Sequence, residues 1–269
     1  MEIEIARADP AGNITVFVLS RLGSAERARA AKALLADPDL KAEQVGFVTA
    51  PAVKEGIWRL EMAGGEFCGN ASRSFGLLVA AECGLTGKHV LSVEISGMSG
   101  LLPVDIDTDT QSAGIEIPEP LDQTVICLGG QYFPVYEFEG ITHIIAENML
   151  PDERAARSII WTYNEGRRSA GKQPCSALGV MFYDAPKCFM QPIVWTQLET
   201  LVCESSCGSG SAALGVWAVR DSENTETVIE LGQPGGILTV SVEKQAGRIK
   251  RLSISGKVSM SGTFRYCLD

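Results

Sequence analysis

The distribution of apolar and polar positions predicts an alternation of short strands and helices. Residues 2–8 alternate weakly, and residues 14–19 (ITVFVL) are apolar and β-branched, so both are expected as strands. Residues 24–36, SAERARAAKALLA, carry Ala and Leu at helical spacing, with Ser24 as the expected N-cap and Pro38 as the stop. Strands are expected at 44–50 and 56–62, then a helix from about 70 to 82 closed by Gly84. Short strands follow at 90–96, 101–106 and 113–117, divided by Gly- and Asp-rich turns. Further strands fall at 124–128, 132–138 and 141–146, before a charged helix over 151–168 with Pro151 in its first turn. Strands at 178–184 and 190–195 precede a helix from about 209 to 219. The last strands are expected at 227–231, 237–243 and 249–255, with a Pro-Gly turn in QPGG, and the tail at 258–267 reads as one more.

The order repeats with a period near half the chain, which marks an internal duplication. Aligning 68–76 (CGNASRSFG) with 207–215 (CGSGSAALG) matches Cys, Gly, Ser and the final Gly. EQVGF at 43–47 parallels SALGVMF at 176–182, and LSVEISG at 91–97 parallels LTVSVEK at 238–244. Two α/β halves are therefore expected, 1–121 carrying Cys68 and 122–257 carrying Cys207.

Composition narrows the function. The chain has 269 residues, 45% hydrophobic, so a sizeable core is expected; its net charge of −10 argues against a nucleic-acid partner. MEIEIARADP shows no basic stretch followed by an apolar run, and no apolar run approaches membrane-spanning length. The expected location is the cytoplasm, where the eight cysteines stay reduced. Metal is poorly supported, because no C-x-x-C pair occurs and the two histidines lie far from any cysteine pair. Most of the cysteines are expected as small buried core residues.

Cys68 and Cys207 differ from the rest, because each Cys-Gly pair follows a strand and opens a helix. The first N–H groups of a helix lack intrahelical partners and carry partial positive charge, which favours a thiolate and a bound carboxylate. Glycine lets the backbone approach a ligand, and Asn70 or Ser209 is placed to cap the helix or offer a donor. Two such helix starts, related by pseudo-symmetry and facing each other across a cleft, suit racemisation. One thiolate removes an α-proton and one thiol returns a proton to the other face.

PAGNITVF, FCGNASRS and SCGSGSAALG resemble the motifs of the diaminopimelate epimerase family, cofactor-independent enzymes that use two cysteines. Within it, PAGN at 10–13, EQVGF, EFCGNAS at 66–72, ESSCGSG at 204–210 and QPGG at 233–236 are most similar to the histidine racemases of staphylopine-type metallophore synthesis. The resemblance runs from Asn13 to about Tyr266. It implies two pseudo-symmetric α/β domains, each a curled sheet round a central helix, with the tail 258–269 returning to the first. It implies Cys68 and Cys207 as the acid/base pair, Gly69-Asn70 and Gly208-Ser209 holding the α-carboxylate, Asn13 and Gln44 lining the site, and no cofactor or metal. The expected partner is a small amino acid, and a homodimer is allowed.

Diaminopimelate epimerases carry Glu-Arg-Gly before the second cysteine, whereas TQLETLVCESSC here has no Arg. A distal carboxylate would lose a fixed partner, which argues against diaminopimelate. Glu43 and Glu204 are the acidic candidates for a polar side chain such as imidazole. Bland readings stand beside these: Glu43 as a solvated loop carboxylate, Glu204 as a turn cap, Asn13 as a turn former, QPGG as a hairpin turn. His143, in GITHIIAE, reads as a packed structural residue and His89 as surface, while Cys203 is a candidate for a regulatory disulfide with Cys207. A diaminopimelate epimerase, a racemase of another amino acid, a small-acid binding protein and a thiol redox sensor remain as alternatives.

Overall fold

A computed structural model describes residues 1–53, 57–196 and 201–268. The chain divides into two compact units, one of Met1–Glu116 with the chain from Ser255 onward, the other of Ile117–Ile254. The first contains β1 (Glu2–Asp9), β2 (Thr15–Val18), α1 (Ser24–Ala36), β3 (Gln44–Thr49), β4 (Trp58–Met62), α2 (Gly69–Glu82), β5 (Lys88–Ile95), β6 (Leu102–Asp107) and β7 (Ser112–Glu116). The second contains β8 (Asp122–Leu128), β9 (Gln131–Phe138), β10 (Ile141–Glu147), α3 (Glu153–Ser169), β11 (Ala177–Asp184), β12 (Phe189–Thr196), β13 (Leu201–Cys203), α4 (Gly208–Ala218), β14 (Thr225–Gln233) and β15 (Gly236–Gln245). β16 (Arg248–Lys257) follows, and the tail adds β17 (Ser259–Met260) and β18 (Phe264–Cys267).

The duplication is visible in the strand pairing. In the first unit β1–β2 is antiparallel, β2–β3 parallel, β3–β4 antiparallel, β4–β5 parallel and β5–β6 antiparallel. In the second, β9–β10 is antiparallel, β10–β11 parallel, β11–β12 antiparallel, β12–β14 parallel and β14–β15 antiparallel. The short β13 is an extra strand on β12. β18 and β17 lie antiparallel on β1, as β8 does on β9. The repeat therefore equates β5 with β14 and β6 with β15. The likeness of 91–97 to 238–244 joins β5 to β15, one strand out of step. Both are alternating strands, and a period of two cannot tell one neighbour from the next.

Each unit is built round its Cys-Gly helix. Every residue of α2 from Gly69 to Ala80 is buried, and β1, β4, β5, β6, β7 and β17 all touch the helix. In the second unit β9, β10 and β15 touch α4. The final glycines of the two aligned motifs do the same work. A Cβ on Gly76 would lie 2.5 Å from a Val104 methyl on β6, and one on Gly215 would lie 2.5 Å from a Val240 methyl on β15. Helix and sheet can approach this closely only where the side chain is a hydrogen. The other two helices cover further core: Leu34 of α1 packs with Ile5, Val16 and Val45, and Ile159 and Tyr163 of α3 pack with Val180 and Ile193.

Several local expectations change. Ser24 is the first helical residue of α1, and Gly23 precedes it as N-cap, with its N–H bonded to Glu26 Oε2 at 2.8 Å. Pro151 stands outside α3, which Asp152 caps by accepting the Ala155 N–H at 2.8 Å. Gly84 closes α2 in the left-handed region, φ 65°, where a missing Cβ removes the strain. Gly56, the expected start of the fourth strand, lies outside the described residues. Most cysteines are not core: Cys175 and Cys207 alone are buried, and Cys83, Cys127, Cys203 and Cys267 are exposed. Cys83 sits at a helix end, and Cys127 and Cys267 lie on β8 and β18, the strands added beside β9 and β1. Among the described residues no helix is long and apolar enough to cross a membrane, and no group of three His, Cys, Asp or Glu could hold a metal ion.

Candidate active site

In the first unit the chain bends at Cys68, whose extended backbone places it at the N-cap of α2. Its sulfur, not Asn70, caps the helix by accepting the Ala71 N–H at 3.4 Å. Asn70 is drawn inward instead: its Nδ2 donates to Asn13 Oδ1 at 3.4 Å, and its Oδ1 accepts from Arg73 Nε at 3.2 Å. The Cys68 thiol donates to Gln44 Oε1 at 3.1 Å, with Asn13 Oδ1 at 4.0 Å. Asn13 Nδ2 in turn donates to Glu43 Oε2 at 2.9 Å. Asn13, Glu43, Gln44, Cys68 and Asn70, spread over 58 positions of sequence, thus form one hydrogen-bonded group, with Gly69 buried at its floor. Asn13 is nearly fully buried, so it does more than make a turn.

Arg73 is part of this group and was not legible from its motif. Its guanidinium is fully buried and donates to Pro10 O at 3.1 Å, Gly256 O at 2.9 Å and Lys257 O at 3.3 Å as well as to Asn70. Burial lowers its pKa to about 10, against the pull of the Cys68 sulfur, so it remains a cation at neutral pH. It ties the turn after β1 and the end of β16 to the Cys68 helix.

In the second unit Cys207 occupies the equivalent N-cap of α4, with nearly the same backbone angles, φ −129° and ψ 114° against −129° and 116° at Cys68. The serines four residues after each cysteine also correspond: Ser72 Oγ donates to Cys68 O at 2.7 Å and Ser211 Oγ to Cys207 O at 2.6 Å. Ser209 does not cap the helix. Its hydroxyl lies 3.7 Å from the Cys207 sulfur and 2.8 Å from His143 Nε2. Gly208 is buried, and a Cβ on Gly210 would lie 2.2 Å from Met181 Sδ and 3.3 Å from the Cys207 sulfur. Burial, then the Glu204 carboxylate, pushes the Cys207 thiol well up from its ordinary value; the Gly210 N–H and the Ser209 hydroxyl oppose this in part. Glu204 therefore acts on the sulfur rather than merely capping a turn.

Two residues read as structural belong to this second group. Gln233, from QPGG, accepts the Cys207 N–H at 2.8 Å and donates to Ser211 Oγ at 3.0 Å. His143 bonds Ser209, as above. Cys203 is directed elsewhere, its exposed thiol 3.8 Å from Glu153 Oε1. His89 lies outside both groups, bonded to Thr86 O.

Comparison with known proteins gives one consistent answer. A family model described as the histidine racemase CntK N-terminal domain matches residues 2–264. A histidine racemase of Fusobacterium nucleatum subsp. nucleatum is 31% identical over 248 residues, 90% of each chain. A histidine racemase of Staphylococcus aureus is 28% identical over 274 aligned residues, 99% of this chain and 98% of that one. Among solved structures, a hydroxyproline epimerase from Agrobacterium vitis with bound trans-4-hydroxy-L-proline has a TM-score of 0.67 at 12% identity, covering all of this chain and 93% of that one. A predicted epimerase from Pseudomonas aeruginosa has a TM-score of 0.63 at 13% identity, covering 99% of each. These two are likenesses of fold.

Proposed function

Because the chain belongs to the histidine racemase family, we propose that it interconverts L- and D-histidine without a cofactor, with Cys68 and Cys207 as paired acid and base. As a member of that family it is an isomerase. The observation that carries the two-cysteine reading is the repetition itself. Two cysteines at matching positions each stand at the N-cap of the buried helix of their own unit.

In this reading one cysteine, as thiolate, takes the α-proton, and the other, as thiol, gives a proton to the opposite face; the roles exchange with the hand of the substrate. The N–H groups at the starts of α2 and α4, from Gly69-Asn70 and Gly208-Ser209, stabilise the carboxylate as charge flows into it. Glu43 and Glu204 supply acceptors for an imidazole N–H. Asn13 and Gln44 fix the Cys68 sulfur through the bonds already described. We place the enzyme in the cytoplasm, where its eight free thiols stay reduced.

The test is incubation of the full chain with stereopure amino acids in D2O, reading α-deuteration and chiral composition. Histidine is expected to exchange and racemise fastest, in the presence of EDTA. Faster turnover of diaminopimelate would overturn the substrate, and loss of activity with EDTA that one metal restores would overturn the cofactor-free chemistry.

A further inference from the structure

His143 is a fully buried imidazole. It stands on β10 opposite Gly179 of β11, where a Cβ would lie 2.6 Å from the ring Nδ1, and its other ring neighbour is Phe138 at 5.9 Å between centroids. The repeat supplies an internal control. In the first unit the same strand position, opposite Gly46 of β3, holds Phe17, which packs on Phe75 of α2. A hydrocarbon ring satisfies the packing there, so packing alone does not require an imidazole at 143.

The two ring nitrogens differ. Nε2 is 2.8 Å from Ser209 Oγ, whereas Nδ1 is buried with no hydrogen-bond partner among the described residues. A neutral imidazole carries one proton. Placing it on Nδ1 would bury an N–H with no acceptor, while placing it on Nε2 leaves only a bare lone pair at Nδ1; orphaned donors are the rarer and costlier case. The proton therefore belongs on Nε2. Ser209 Oγ must then accept from His143, which leaves the serine hydrogen free to turn toward the Cys207 sulfur at 3.7 Å.

We propose that His143 is a positioning residue for Cys207: as the Nε2–H tautomer it orients the Ser209 hydroxyl to donate to the Cys207 thiolate. Its significance for racemisation rests on the two-cysteine reading above, but the orientation itself does not. Glu204 acts on the Cys207 sulfur through its charge and a side-chain hydrogen bond, and both disfavour the thiolate. The Ser209 hydroxyl and the Gly210 N–H are the donors that favour it. Burial holds His143 neutral, with its pKa lowered to about 3, so the relay does not switch off through the physiological range.

The chain has only two histidines, which makes the first measurement direct. Long-range 15N–1H correlation of labelled full-length protein should show two rings, His89 and His143, with His143 fixed as the Nε2–H tautomer from pH 5 to 9. A His143 ring protonated on Nδ1 would overturn the proposal. The second measurement follows iodoacetamide alkylation at fixed pH by peptide mass spectrometry. His143→Leu should slow labelling of Cys207 about tenfold, as loss of a hydrogen bond to a charged group requires, while Cys68 labels at its original rate. His143→Gln, which keeps an N–H within reach of Ser209, should recover most of the loss. Ser209→Ala should slow Cys207 equally, and adding His143→Leu to it should change nothing more. Unchanged Cys207 labelling in His143→Leu, equal slowing at both cysteines, or no recovery with Gln would each overturn it. Neither measurement uses a substrate, so an absence of histidine turnover would count against the racemase reading and leave this inference standing.

Discussion

Gln233 holds Cys207 by its backbone. The glutamine carbonyl accepts the Cys207 N–H at 2.8 Å, and its amide bonds Ser211, whose hydroxyl closes the ring on Cys207 O. A helix N-cap has its own N–H directed away from the helix, so this donor needs an outside partner, and here a side chain 26 residues later provides it. Gln233→Leu leaves the buried N–H and the Ser211 hydroxyl without that partner. It should cost about 2 kcal/mol of stability by urea unfolding. It should also lower α-proton exchange with one hand of histidine more than with the other. Equal losses for both hands would contradict the local role.

The same residue shows where sequence reasoning stops. QPGG was legible as a turn, because Pro and Gly fix local backbone, and its last residue, Gly236, does begin β15. That its Gln reaches Cys207 depends on how β14 is placed beside α4, which no local signal encodes. Cys68 and Cys207 were legible because the chain states the motif twice, and the central place of their helices followed from the resemblance to the diaminopimelate epimerase family. His143 and Arg73 were not, since a lone histidine in an apolar strand and an arginine in a helix usually have bland roles. The short β13 was missed because LVC is too brief for periodicity to register.

The duplication predicts matched packing costs. Gly76 and Gly215 each face two branched side chains of the strand they cross, Val104 and Ile106 in one unit, Val240 and Val242 in the other. Gly76→Ala and Gly215→Ala should each destabilise by about 1–3 kcal/mol, the cost of overpacking a well-filled contact. Thermal unfolding would read both. Wild-type stability in either would show that the helix can lift from its sheet freely.

Stability should also depend on pH through His143. Its folded pKa is about 3, against the ordinary 6.5 open to it when unfolded. Between those values the unfolded chain binds the proton and the folded chain does not, so stability rises with pH across that interval and is lost as pH falls below about 6.5. Each pH unit is worth about 1.4 kcal/mol, and the whole interval several kcal/mol. Urea unfolding at pH 7 and pH 5 should show this loss in the native chain. In His143→Leu the part due to this ring should vanish. The same pH dependence in the variant would assign the loss to other groups.

The last prediction concerns the division of labour between the cysteines. Full turnover needs one proton acceptor and one donor, so Cys68→Ser and Cys207→Ser should each lose racemisation by orders of magnitude, because an alcohol is a far weaker base than a thiolate at neutral pH. Each variant keeps one thiol, and that thiol can still remove the α-proton from the enantiomer whose C–H bond points at it. The two single variants should therefore retain exchange with opposite hands of histidine, and the double variant with neither. The surroundings add a sign. Burial and Glu204 hold Cys207 protonated well above the ordinary thiol range, so removing the neighbouring charge favours its thiolate and lowers its pKa. In a Cys68→Ser background, Glu204→Gln should shift the onset of the surviving exchange to lower pH. An unshifted profile there would mean that Glu204 does not tune the sulfur. Racemisation at the native rate in either single variant, followed by chiral chromatography, would remove the paired-thiol mechanism altogether.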